Sequence, residues 1–341
     1  MHLDTRKSEL ESWLALVQGR TPSRVEPASA DASFRRYFRV WQDGRTWIAM
    51  DAPPDKEDLA PFIQVAGILA SAGVNVPRVV ARDLDRGFLL MTDLGSSQYL
   101  DALRAGTDVD TLYRDALEAL VRMQACVGVA TVSLPAYDGA RLRQEMELFP
   151  AWFLDRHLGI EVGPEERAML DAQFGLLERA ALAQPQLMVH RDYHSRNLMV
   201  CDDNPGVLDF QDACVGAATY DLVSLLKDCY IAWPRERVLG WLREYRALAR
   251  EAGLGFPGEE TDFVRAFDLM GLQRHLKVLG IFCRLWYRDG KRGDLADLPL
   301  VLDYALEVAG REPGLQELDR LLRGRVVPAF AAAQAREGTA A

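Results

Sequence analysis

At 341 residues the chain is long for one simple core, and two lobes are the natural expectation. Apolar residues make up 49% and charged residues 26%, which excludes general disorder. The formal charge of -10 excludes a broad nucleic-acid-binding surface, which needs a basic footprint.

In chain order, Met1 to Arg20 lacks the apolar stretch of a secretory signal, and Leu10, Trp13, Leu14 and Val17 mark an amphipathic helix. Thr21-Pro22 breaks it. Strands are predicted at Arg36–Trp41 and Thr46–Met50, joined through Gln42-Asp43-Gly44-Arg45. Leu59, Phe62, Ile63, Ala66 and Leu69 predict a helix closed by Gly73, and further strands follow near Arg78–Ala81 and Phe88–Met91. Thr92 to Ser97 is polar and small, as a hinge between lobes would be. The pattern then turns helical, with an apolar stripe of Leu112, Ala116, Leu117, Leu120 and Val121. A β-rich patch interrupts it at Leu187–Val189, Leu198–Val200 and Val207–Phe210, with Asp202 to Gly206 as the last turn. Helices resume from Asp221, and the Ala-rich tail 331–341 is expected to fray.

No stretch approaches the ~18 apolar residues of a membrane span. Five scattered cysteines without a CxxC pair argue against a disulfide framework or a zinc site and for a reducing, cytoplasmic setting. Nothing points to an obligate protein partner.

The chemistry concentrates in His190-Arg191-Asp192-Tyr193-His194-Ser195-Arg196-Asn197, followed by Asp209 twelve residues later. A hairpin between them brings Asn197 and Asp209 side by side. An amide oxygen and a carboxylate are hard ligands suited to Mg²⁺, which keeps few protein ligands and takes the rest from phosphate. Asp192, five residues before Asn197, is placed to orient a hydroxyl and accept its proton. Asp221 is expected to N-cap the helix Leu222–Tyr230.

The octet and Asp209 together resemble the H-R-D-x-x-x-x-N loop and metal-binding Asp of the protein-kinase-like fold. His194 stands where protein kinases carry Lys, and no long activation segment follows Asp209-Phe210-Gln211-Asp212. The chain is in this respect similar to the aminoglycoside phosphotransferase and choline kinase superfamily of small-molecule kinases. Within it, the phrases Ser33 to Arg39, Met50 to Pro54, Leu208 to Ala213, Tyr220 to Tyr230 and Gln273 to Phe282 resemble bacterial anomeric N-acetylmuramate/N-acetylglucosamine 1-kinases of cell-wall recycling.

The resemblance implies an α+β, bilobal, protein-kinase-like fold. A small antiparallel-sheet lobe with one helix over residues 1–94 would bind nucleotide, and a mainly helical lobe over 95–341 would carry catalysis and the acceptor. It implies ATP as co-substrate, Mg²⁺ as cofactor, and phosphorylation of the anomeric hydroxyl of an N-acetylated amino sugar. Ser33, Phe34 and Arg35 are candidates for the phosphates, and Met91, Asp93 and Leu94 for the adenine edge, with Met91 equally suited to packing. The expected glycine-rich loop near Ser29–Ser33 has no glycine, and Met50 fills the slot of the expected strand Lys, so Arg35 or Arg36 is either a substitute cation or a solvated side chain. His194, Gln211, Asp212, Arg274 and His275 are candidates for the acceptor. Asp212 reads equally as a turn cap, and Arg274, His275 and Lys277 as a solvated helix face. Two other readings stay open: an aminoglycoside, homoserine or choline kinase, and a nucleotide-binding regulator without turnover.

Overall fold

The computed structural model describes residues 4–30, 34–126 and 134–338, which fall into two compact units. The first comprises residues 1–123 and 196–212, so it runs past the expected 94/95 boundary and takes in the segment from Arg196 to Asp212.

Its centre is a five-stranded antiparallel sheet in the order β1-β2-β3-β5-β4, formed by β1 (Arg24–Ala30), β2 (Arg36–Gln42), β3 (Arg45–Asp51), β4 (Val79–Asp83) and β5 (Phe88–Thr92). The β2–β3 register runs from Arg36 opposite Asp51 to Gln42 opposite Arg45. Asp43 and Gly44 form the two-residue turn at φ 54° and 71°, the positive-φ pair that matches strand twist. The span of β1 is not marked in the sequence, although a phosphate loop near Ser29–Ser33 implies a strand before it: Pro27 interrupts its alternation, and the ladder shifts register between Pro27 and Ser29.

Helix α1 (Thr5–Val17) buries Leu10, Trp13 and Leu14 against Phe38, Val40, Ala49, Phe88 and Leu90 of the sheet. Each such side chain contributes about 1.5–3 kcal/mol on leaving water. Helix α2 (Ala60–Ser71) buries Phe62, Val65, Ala66, Ile68 and Leu69 and stops before Gly73, at φ 72°. Helices α3 (Tyr99–Arg104) and α4 (Val109–Gln124) follow. A short hairpin pairs β6 (Leu198–Met199) with β7 (Gly206–Val207). The strand expected at Val207–Phe210 stops at Val207, because Asp209 turns the chain into the left-handed region at φ 61°.

The second unit, residues 124–195 and 213–341, is mainly helical. Its two-stranded antiparallel sheet pairs Gln186–Val189 with Cys214–Ala217. Around one apolar core lie α5 (Gly139–Met146), a π-helix (Phe149–His157), α6 (Pro164–Leu182), α9 (Glu260–Asp289) and α10 (Leu298–Arg311), and α7 (Tyr220–Leu226) and α8 (Arg235–Glu251) pack against α9. α9 runs 30 residues, and every residue from Leu269 to Gly280 is buried, so its middle is enclosed on all sides. A Cβ at Gly280 would lie 2.3 Å from the Leu148 carbonyl, and only glycine permits that approach. The expected frayed tail is helical from Val327 to Gly338 and buries Phe330 and Ala333; residues 339–341 lie outside the described residues.

None of the five cysteines is in a disulfide. No helix among the described residues is long and apolar enough to cross a membrane. The α+β class expected from the sequence is what the two units display.

Candidate active site

In the second unit, the loop from His190 to Ser195 leaves its strand under two carboxylates. Asp221 is fully buried, and its Oδ2 accepts from the His190 N–H at 2.7 Å while Oδ1 accepts from Arg191 N–H at 3.0 Å. Asp228 Oδ2 accepts from the Ser195 N–H at 3.0 Å and the Ser195 hydroxyl at 2.6 Å. Both ends of the loop are thus pinned. Between them Arg191 takes φ 80°, a conformation that costs a non-glycine residue about 1–3 kcal/mol and persists only where its surroundings enforce it. Asp221 is therefore not the N-cap expected of it. The helix begins at Tyr220, and Asp221 lies within its first turn and serves the loop instead. Burial pushes its carboxyl up to about 7, against the pull of the two N–H donors and of Arg274.

Asp192 keeps about 40% of its side chain open to solvent and has Arg274 Nη1 3.9 Å from its Oδ1. Its enclosure by protein alone would raise the carboxyl, but Lys277, Arg274, His194 and Arg191 outweigh that and hold it down at about 2. It is an ionised acceptor at any working pH. His194, two residues on, meets Tyr230 edge to face, with ring centroids 5.4 Å apart.

The cations around Asp192 are themselves fixed. Arg274 Nη1 donates to the Arg191 carbonyl at 3.0 Å and to the Tyr220 hydroxyl at 3.3 Å. Arg191 Nη2 donates to Glu145 Oε1 at 2.5 Å, and Lys277 Nζ lies 3.0 Å from Glu145 Oε2 and 2.9 Å from the Tyr220 hydroxyl. Burial raises Glu145, but Lys277 and Arg191 bring it below its ordinary value. The Arg274, His275 and Lys277 cluster is accordingly no solvated helix face. His275 is 1% exposed, stacks on Tyr304 at 4.8 Å, and sits 3.1 Å from the Lys227 carbonyl through Nε2. Burial lowers it to about 3, so it is a neutral packing group.

In the first unit, the β6–β7 hairpin and the Leu208 N–H, which donates to the Asn197 carbonyl at 2.9 Å, bring Asn197 beside Asp209. Asn197 Nδ2 donates to Asp209 Oδ2 at 3.4 Å, and Gln211 Nε2 donates to Oδ1 at 2.8 Å. Phe210 is buried against Phe62 of α2, centroids 4.8 Å apart, which anchors the turn. Asp209 is exposed. The donor set fits a hard divalent cation: a carboxylate between two carboxamides, with Gln211 Oε1 enclosed and making no hydrogen bond. A flip of the Asn197 amide presents its oxygen to such an ion. Asp212 is exposed.

Of the nucleotide candidates, Ser33 lies outside the described residues. Ser29 and Ala30, expected in the phosphate loop, end β1 opposite Tyr37 and Arg36. Phe34 is 63% exposed, and its N–H donates to Glu57 Oε1 at 3.0 Å. Arg35 Nε lies 3.8 Å from the same carboxylate. Arg36 is held by Asp51 and Asp4, and Met50 is fully buried. Met91 is buried. The Asp93 side chain is taken by Arg39, at 2.7 Å and 3.1 Å, and by the Gly95 N–H. Leu94 packs on Gly206.

The reading of the sequence missed Asp221 as a loop anchor, Asp228 and Glu145. The available signal was an acid inside or beside an apolar run, Tyr220-Asp221-Leu222-Val223 and Leu226-Lys227-Asp228, where burial demands a partner.

Residues 24–256 match the model of the phosphotransferase enzyme family. The chain is 53% identical over 302 residues to N-acetylmuramate/N-acetylglucosamine kinase of Pseudomonas aeruginosa, covering 88% of each chain. It is 50% identical over 329 residues to that of Pseudomonas putida, covering 94% of this chain and 96% of the relative. Its fold is similar to that of aminoglycoside 2'-phosphotransferase-IIIa in a GDP complex, with a TM-score of 0.62 at 16% identity over 90% of this chain and 99% of that one. ADP-bound aminoglycoside phosphotransferase APH(2'')-Ib gives 0.55 at 15% over 88% and 98%. These solved structures share the protein-kinase-like architecture expected from the sequence.

Proposed function

The chain belongs to the phosphotransferase enzyme family, and on that premise we propose that it transfers the γ-phosphoryl group of ATP to the anomeric hydroxyl of N-acetylmuramate and N-acetylglucosamine. The observation that carries this reading is the 53% identity, over 88% of both chains, to a kinase of those two sugars. The pinned loop that presents an ionised Asp192 supports the chemistry.

In this reading Asp192 orients the hydroxyl and takes its proton. An anomeric hydroxyl is more acidic than an ordinary alcohol and so suits a weak base. Asn197 and Asp209 hold Mg²⁺. The ion supplies positive charge against the phosphate oxygens, where charge stabilisation and positioning provide most of the acceleration. Residues 1–94 form the nucleotide lobe, with Ser33, Phe34 and Arg35 toward the phosphates and the backbone near Met91, Asp93 and Leu94 toward the adenine edge. His194, Gln211, Asp212 and Arg274 serve the acceptor, with Arg274 also setting the charge of Asp192. His275 supports Arg274 from within the helix packing.

Phosphorus NMR of the purified protein with Mg·ATP and each sugar tests the proposal. A product phosphorus coupled to the anomeric proton is the expected result. Turnover of kanamycin, homoserine or choline in place of both sugars would overturn the acceptor assignment.

A further inference from the structure

The two proposed acceptors differ by one ionised group. N-acetylmuramate carries a lactyl ether on C3, whose carboxylate lies a ring's width from the reacting C1 oxygen; N-acetylglucosamine has a hydroxyl there. The cations nearest Asp192 are already committed. Arg191 and Lys277 neutralise Glu145, and Arg274 is held by the Arg191 carbonyl and Tyr220. His275 is buried and neutral.

Arg284 is different. It is half-buried on α9, its Nε is enclosed, and it makes no hydrogen bond. Among the described residues it has no ion pair within 4.0 Å, whereas Arg288, one turn on, is taken by Asp289. Burial pulls the guanidinium below its ordinary range and Arg288 adds to this, while Asp289 and Glu145 draw it partly back. A half-buried guanidinium with an enclosed Nε and no anion is unusual, since charges withdrawn from water are normally paired.

Its position suits the acceptor. Seven residues after Lys277, Arg284 returns to the same helix face within about 20°, roughly 10 Å further along the axis. Long side chains on a helix lean toward its N-terminus, here back toward Lys277 and the Arg274–Asp192 end. Glu145, which holds Lys277, is close enough to act on Arg284.

We propose that Arg284 is a carboxylate-binding subsite that reads the lactyl group of N-acetylmuramate. The proposal rests on the sugar-kinase reading above. A carboxylate arriving there meets a fork whose Nε is already enclosed while its outer nitrogens stay open to it, and gains a charge-assisted, bidentate bond without breaking an existing ion pair. N-acetylglucosamine has nothing to offer this group, so its turnover is indifferent to it.

The test is steady-state kinetics of wild type, R284Q and R284K on both sugars with the full chain. R284Q is expected to lower kcat/KM for N-acetylmuramate by about 10–100-fold, mainly through KM, and to leave N-acetylglucosamine within about threefold, the size of one lost charged hydrogen-bond pair. R284K keeps the charge but loses the fork, so its selective loss is smaller. An equal loss on both sugars in R284Q and R284K assigns Arg284 a structural role and overturns the proposal, as does an unchanged N-acetylmuramate KM. Wild-type protein inactive on both sugars would instead overturn the acceptor reading, and this subsite with it.

Discussion

Asp221→Asn should yield a protein that is more stable in mild alkali and a poorer catalyst. The carboxyl is fully buried with its pKa raised from 3.8 to about 7, so at pH 8 it is ionised in both folded and unfolded chains. A raised folded pKa means that the folded state holds the proton more tightly. The corresponding stability is fully present below about pH 4 and is lost as pH rises through about 7, a difference of roughly 4 kcal/mol. Asparagine removes that charge. It also offers one acceptor where two backbone N–H groups, of His190 and Arg191, now find two. The orphaned donor costs about 1–3 kcal/mol and the neighbouring amide hydrogens repel it. The loop then relaxes, releasing Arg191 from its φ of 80° and shifting Asp192. A misplacement of about 1 Å at a reacting group is worth roughly 100-fold in rate. Thermal melts at pH 8 and pH 5, with kcat at pH 8, make the check. At pH 8 the variant should melt no lower than wild type and turn over about 100-fold more slowly, and its stability advantage should shrink at pH 5. A variant clearly less stable at pH 8, or one within threefold of wild-type kcat, would refute the reasoning.

Asp192→Ala should cut kcat by about 10²–10⁴-fold while nucleotide affinity, read by calorimetry, stays near wild type; near-normal turnover would rule Asp192 out as base. Asp209→Ala should raise the Mg²⁺ concentration needed for half-maximal rate by at least tenfold, and Asn197→Ala should do so less strongly, as loss of a neutral ligand should. A Mg²⁺ titration unchanged in both would remove the pair as metal ligands. Gly280→Ala forces a methyl to within 2.3 Å of the Leu148 backbone and should cost about 1–3 kcal/mol or more, lowering the melting temperature by several degrees; an unchanged melt would mean the helix slides freely there.

What could be read from the sequence was what is local in the chain. Asp192, Asn197 and Asp209 stand out because a loop and a hairpin fix their spacing within twenty residues. The Asp43-Gly44 turn announces itself by residue type. Asp221 and Asp228 were opaque, because their partners lie 31 and 33 residues away and only folding reveals that an acid in an apolar run is a hydrogen-bond acceptor for a loop. The α9 cluster misled for a related reason. Arg274, His275 and Lys277 point in different directions around the helix, and charge at three azimuths suggests solvent, yet this helix is enclosed all round. β1 hid behind Pro27 and a register shift, which erase the alternation that marks a strand.

The cation cluster also bears on how substrates arrive. Arg191, Arg274 and Lys277 face Glu145 and Asp192, three positive charges against two negative while Asp221 holds its proton, on a chain whose formal charge is -10. An anion approaching from bulk solvent first meets the field of the whole acidic molecule, and that long-range repulsion is what dissolved salt screens beyond about 8 Å. The short-range attraction of partly enclosed guanidinium and ammonium groups is screened far less. Moderate ionic strength should therefore quicken capture of an anionic ligand, the reverse of the usual steering effect, and an uncharged sugar should show no such acceleration.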